Sequence, residues 1–97
     1  MYLPTYIGIS AKIDNINKVE EDTGATGLIF AAMNGNVELI KILIGLGAEL
    51  DAKDFVHGWT ALMQSTFYGQ RESTLVLLKV QSVLFLIVFF SNGSDRI

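Results

Sequence analysis

Apolar residues recur along this chain in short helical stripes punctuated by glycine. Between Val37 and Leu46, the residues Leu39, Ile40, Leu43 and Ile44 follow an i, i+1, i+4, i+5 spacing that gathers them on one helical face. Upstream, Thr26 stands where an N-cap belongs, and the segment running to Met33 carries the small pair Ala31 and Ala32, which permits close helix contact. Gly35-Asn36 separates the two segments, both residues being suited to turns. Gly47 is placed for the left-handed conformation that ends a helix. This pattern predicts helices over about 26–33 and 37–46, followed by an exposed loop from Glu49 to Val56. It then predicts a helix from Thr60 to Tyr68, a break at Gly69-Gln70, and a last helix from Arg71 to about Val80.

The second pair of helices copies the first. At an offset of 34, Gly24 falls on Gly58, Thr26 on Thr60, Leu28 on Leu62 and Gly35 on Gly69. Ala31 and Ala32 fall on the small residues Ser65 and Thr66, and Leu43 and Ile44 on Leu77 and Leu78. At an offset of 37, Tyr6–Asp14 lies over Leu43–Asp51, with Ile7, Gly8, Ala11 and Asp14 matching identically. The chain thus divides into an incomplete first repeat and loop at 1–23, a full repeat at 24–57, an incomplete last repeat at 58–80, and a divergent apolar tail at 81–97.

The shared motifs GATGLIFAAMNG and GWTALMQSTFYG, each followed by an apolar segment (ELIKILIGLGAELDAKD and STLVLLK), resemble the ankyrin repeat over about Tyr6 to Lys79. Gly27 and Ala61 replace the proline of that family's motif, and Ile29 and Met63 replace its histidine, removing an inter-repeat hydrogen bond worth about 1 kcal/mol. The pattern fails after Val80, where Gln81 and Ser82 replace Gly47 and Ala48. The resemblance implies an all-α fold: an ankyrin-type helix-turn-helix repeat solenoid fragment with hairpin loops. A single repeat cannot bury its apolar face alone. Leu84, Leu86 and Val88 of the tail are candidates to cover the open end of the stack. The tail itself reads as coming from a different source than the repeats, such as an alternative C-terminus.

Composition narrows the functions further. The chain has 97 residues, 51% hydrophobic and 18% charged, with a net charge of -3 and no cysteine. That is enough apolar surface for one small domain and excludes a disordered charged tail. Its seven Lys and Arg are dispersed, so no basic stripe faces a phosphate backbone and nucleic acid is not an expected partner. Glu20-Glu21-Asp22 reads as a solvated loop. The lone His57 reads as a one-residue, solvent-facing loop insertion. One histidine without cysteine builds neither a catalytic constellation nor a zinc site, so no catalytic, cofactor or metal residues are assigned and the chain is read as a non-enzyme. Asp14-Asn15-Ile16-Asn17 lacks the glycine and closing glutamate of a calcium loop, and Asn92-Gly93-Ser94 is a glycosylation triplet of the kind common by chance.

Function then rests on recognition. The resemblance implies binding by the loop tips and the exposed face of each first helix. The outward positions carry Ala25, and the predicted partner-binding residues Met33, Asn34, Phe55, Val56, Trp59, Phe67 and Tyr68. Large aromatics are favoured interface anchors; the competing assignment packs Trp59 and Phe67 against a neighbouring repeat or the tail. The chain is accordingly expected to be a cytoplasmic scaffold for an unidentified protein partner. Two alternatives stand beside this. One is a truncated isoform without function. The other is a membrane protein anchored through Leu75–Phe90, sixteen residues that include Lys79, Gln81 and Ser82. As a helix that segment spans about 24 Å, short of a hydrocarbon core of about 30 Å.

Overall fold

The computed structural model describes residues 15–93, with side chains described to Ser91. The first-repeat segment Tyr6–Asp14 and the glycosylation triplet's Asn92 side chain and Ser94 lie outside the described residues. Among the described residues four helices follow one another: α1 (Gly27–Asn34), α2 (Val37–Gly45), α3 (Ala61–Phe67) and α4 (Arg71–Gly93). They form two antiparallel pairs, with α1 packed on α3 and α2 on α4. Among the described residues the only β-type pairing is an isolated antiparallel bridge between Val19 and Thr26.

The caps explain why the helices begin where they do. Thr26 and Thr60 are extended, and their side chains accept the amides of Ile29 and Met63, at 3.1 and 3.4 Å. Asn36 does the same for α2 through Leu39 N–H. The turns between paired helices are copies as well. Gly35 N–H bonds Ala32 O and Asn36 N–H bonds Ala31 O, and 34 residues later Gly69 and Gln70 bond Thr66 and Ser65 over the same distances of 3.2 and 2.9 Å.

The core is the seam between the pairs. Leu28, Ile29, Ala31 and Ala32 of α1, Ile40 and Leu43 of α2, Ala61 of α3 and Leu77 of α4 are all buried in one cluster. Full burial of each Leu or Ile there contributes about 1.5–3 kcal/mol. Leu39 and Ile44 complete the predicted stripe at half burial. On α3 the copy of the buried Ile29 is Met63, which is 48% exposed. The face of α3 turned away from α1 is therefore uncovered among the described residues.

Two expectations need correction. The last helix does not stop near Val80 but runs unbroken to Gly93. The cause is local: Gly47 (φ 93°) ends the chain's course beyond α2, whereas its copy is Gln81, and neither Gly nor Pro occurs between Gln81 and Asn92. The tail also does not cover the stack, since Leu84, Leu86 and Val88 are 46%, 50% and 56% exposed. Leu84 and Val88 instead line one side of an open groove of about 620 Å³, whose other side is Ile44, Ala48 and Leu50 of α2 and the loop after it.

Candidate functional site

Two hairpin tips and the first helix of each pair enclose a small groove. Each tip is tied by one carboxylate. At the first, Glu20 accepts the backbone N–H and the hydroxyl of Thr23 through one oxygen, at 2.8 and 2.7 Å, while Glu20 N–H bonds Ala25 O. At the second, Asp54 Oδ1 accepts the amides of His57, Gly58 and Trp59 at 3.1, 2.8 and 3.0 Å, and Asp54 N–H bonds Trp59 O. Asp54 Oδ2 accepts Gln64 Nε2 at 2.6 Å, fastening the tip to α3. Both carboxyl groups are held below the ordinary carboxylate range. For Glu20 the Thr23 hydroxyl is the main cause, followed by the amides of Thr23 and Asp22. For Asp54, burial is the largest single influence and pushes upward, but the amides of Trp59, His57 and Gly58, with the His57 charge, outweigh it together.

These ties correct the sequence reading in two places. The loop from Glu49 to Val56 is not wholly exposed, because Asp54 is buried. A carboxylate with this many donors is stabilised out of water. His57 is not an insertion: its amide answers Asp54 as Thr23 answers Glu20, at the same offset of 34 that pairs Gly24 with Gly58. That offset also pairs Glu20 with Asp54, and it is the sequence signal that would have revealed both ties.

The tips lean on each other. Phe55 N–H donates to Thr23 O at 2.7 Å, and the Phe55 ring lies over Gly24, leaving no room there for a Cβ. Deeper in, Gln70 Nε2 reaches Met33 O at 2.9 Å, and Asn17 Oδ1 accepts Glu49 N–H at 2.7 Å. Neighbouring units are thus joined by polar bridges as well as by the apolar seam.

The groove itself has a volume of about 190 Å³. Phe30, Met33, Val56 and Tyr68 supply its apolar walls, and Thr23, His57 and Gln64 add polar groups. Of the predicted partner-binding residues, Met33, Val56 and Tyr68 line it. Trp59 and Phe67 stand one unit further along, at the copies of the groove residues Ala25 and Met33. They are not isolated from it. His57 stacks on Trp59 at 4.2 Å, Trp59 meets Phe67 at 5.0 Å, and Phe67 meets Tyr68 edge-on at 5.1 Å, forming a continuous aromatic row. Phe55 sits at the tip, 68% exposed, and Asn34 is exposed at the end of α1 without lining the groove. Phe30, 42% exposed on α1, was missed because it lies within the motif's apolar run and reads as core. Among the described residues, no cluster of His, Cys, Asp and Glu is arranged to hold a metal ion.

Comparison with known proteins gives the same pattern a name. The family described as ankyrin repeats (3 copies) matches residues 6–84. The mouse ankyrin repeat and SAM domain-containing protein 6 is 45% identical over 65 residues, covering 67% of this chain and 7% of that protein. The Xenopus laevis inhibitor of Bruton tyrosine kinase is 37% identical over 79 residues, or 80% of this chain and 6% of that protein. The mouse protein phosphatase 1 regulatory subunit 12A is 36% identical over 56 residues, or 58% of this chain and 5% of that protein. The chain therefore spans well under a tenth of each of these relatives, with paired helices, capping threonines and turn glycines recurring at one offset. It belongs to the ankyrin repeat family.

Proposed function

We propose that this chain is a noncovalent recognition module that holds a partner protein in the groove between its hairpin tips and the exposed faces of α1 and α3. Ankyrin repeats generally mediate protein–protein interaction, and the names of two relatives, an inhibitor of a kinase and a regulatory subunit of a phosphatase, are those of proteins that act through binding. The observation that carries the reading is the aromatic row from His57 through Trp59 and Phe67 to Tyr68 beside the groove. Phe67 and Tyr68 are 66% and 50% exposed, so their rings are free to gain contact area on binding. The site performs recognition without turnover, and its selectivity rests on wall shape and on the rigid ties at Glu20 and Asp54.

The test is selection of peptides from a displayed library on the whole chain, followed by titration of the selected peptide. Tyr68→Ala and Met33→Ala should each weaken the peptide at least tenfold, with unchanged helical circular dichroism. A peptide indifferent to both substitutions would place recognition elsewhere.

A further inference from the structure

Beyond Val80, α4 runs on without packing closely: Leu84, Phe85 and Val88 face Ile44, Ala48 and Leu50 only across an open groove of about 620 Å³. The helix's first half is pinned, with Ser73 and Leu77 each 1% exposed in the seam. Its second half is not: every residue from Val83 to Phe90 is between 46% and 68% exposed. Eight consecutive helical residues circle the axis more than twice, so this segment is apolar on all sides rather than along a stripe. Polar residues bound the band, with Lys79, Gln81 and Ser82 below it and Ser91 above, and no charge lies between Lys79 and Ser91. A partner protein with one apolar face, or a single second copy, covers one side of such a helix and leaves the other wet. A surrounding apolar medium covers all of it.

We propose that the distal part of α4, Val83–Phe90, inserts into the hydrocarbon of a lipid bilayer and tethers the repeats to a membrane surface. The helix Arg71–Ser91 is long and apolar enough to cross a membrane by length and composition. Crossing, however, would draw Ser73 and Leu77 out of the seam. The part that is free without dismantling the stack is eight residues long, a rise of about 12 Å, against about 15 Å for one leaflet's hydrocarbon. Insertion therefore engages one leaflet, with Lys79 left at the headgroups. Phe85 stacks on Phe89, Phe89 meets Phe90 edge-on, and the three rings supply much of the segment's apolar surface. With a net charge of -3, the chain gains nothing from acidic lipids, so the attachment is hydrophobic and insensitive to salt.

Flotation of the full chain with neutral phosphatidylcholine vesicles tests this. The chain should float with the vesicles in 1 M salt as well as in dilute buffer, with no added binding to phosphatidylserine vesicles. The double variant Leu86→Glu, Phe89→Glu should lose at least tenfold in partitioning while Trp59 fluorescence, reporting the second hairpin, stays as in the unsubstituted chain. Met63→Glu, at an exposed apolar site on α3, should float normally. Quenching of a tryptophan placed at Phe89, in a Trp59→Phe background, should be stronger with lipids labelled within the leaflet than with labels at the headgroup. Failure to float, equal loss with Met63→Glu, or a lipid-free oligomer that vesicles do not dissolve would overturn the proposal, the last by assigning Val83–Phe90 to other copies of the chain.

Discussion

Asp54 shows how much one side chain organises. Its two oxygens take up three backbone amides of the hairpin tip and the Gln64 carboxamide, so both the shape of the tip and its attachment to α3 depend on it. Asp54→Ala leaves those donors with no protein acceptor. We expect a loss of about 2–3 kcal/mol in urea unfolding, the range for hydrogen bonds to a charged group. A loss under about 0.5 kcal/mol would show that water replaces the carboxylate freely. The pH dependence has a definite sign. The folded state holds the Asp54 carboxyl below its unfolded value, so its contribution is complete above about pH 5 and is lost as pH falls through and below about 4. Glu20 is shifted the same way and shares this acid limb. Stability measured between about pH 6 and pH 3 should therefore fall less steeply in Asp54→Ala than in the unsubstituted chain, with a residual slope from Glu20. Equal slopes would mean that Asp54 has the same affinity for protons folded and unfolded.

At the scale of elements, the ends of helices decide the architecture, and glycine decides several ends. Gly35 has φ 72°, and a Cβ there would run into the Gln70 carboxamide that bridges to Met33 O. Gly35→Ala combines a left-handed backbone penalty of about 1–2 kcal/mol with disturbance of that bridge, for an expected loss of about 2 kcal/mol. Gly45 is the contrast, because it is helical and a Cβ there meets nothing within 4 Å. Gly45→Ala should stabilise by about 0.5–1 kcal/mol, and the two melts measured side by side check both signs. The same logic separates what the chain's residues disclose from what they conceal. Paired helices, caps and turns were legible because each depends on a few neighbouring residues that recur at 34. The course of α4 was not, because the end of the repeat pattern at Val80 was read as the end of the helix, whereas the loss of the glycine at Gln81 removes the stop and lets the helix run on. The groove was legible in part. Outward aromatics such as Tyr68 follow from motif position, whereas the burial of Asp54 depends on three amides converging after the chain has turned.

For the molecule as a whole, the question is whether the two described helix pairs behave as one thermodynamic unit. Neither pair owns the seam: Ile29 of α1 and Leu77 of α4 lie in the same buried cluster, and the polar bridges Gln70–Met33 and Phe55–Thr23 run between the units. A repeat deprived of its neighbour exposes that seam, so opening one pair removes most of what holds the other. Ile29→Ala and Leu77→Ala should consequently each destabilise the entire stack by about 2–4 kcal/mol, although they sit in different pairs. The single tryptophan, Trp59, makes this measurable, since its fluorescence follows the second hairpin while circular dichroism follows the helices. Under urea the two signals should move together, and Ile29→Ala should shift the Trp59 transition as far as Leu77→Ala does. A fluorescence transition indifferent to Ile29→Ala would mean that the second pair folds without the first, and the seam would then be a contact between independent units rather than the core of one.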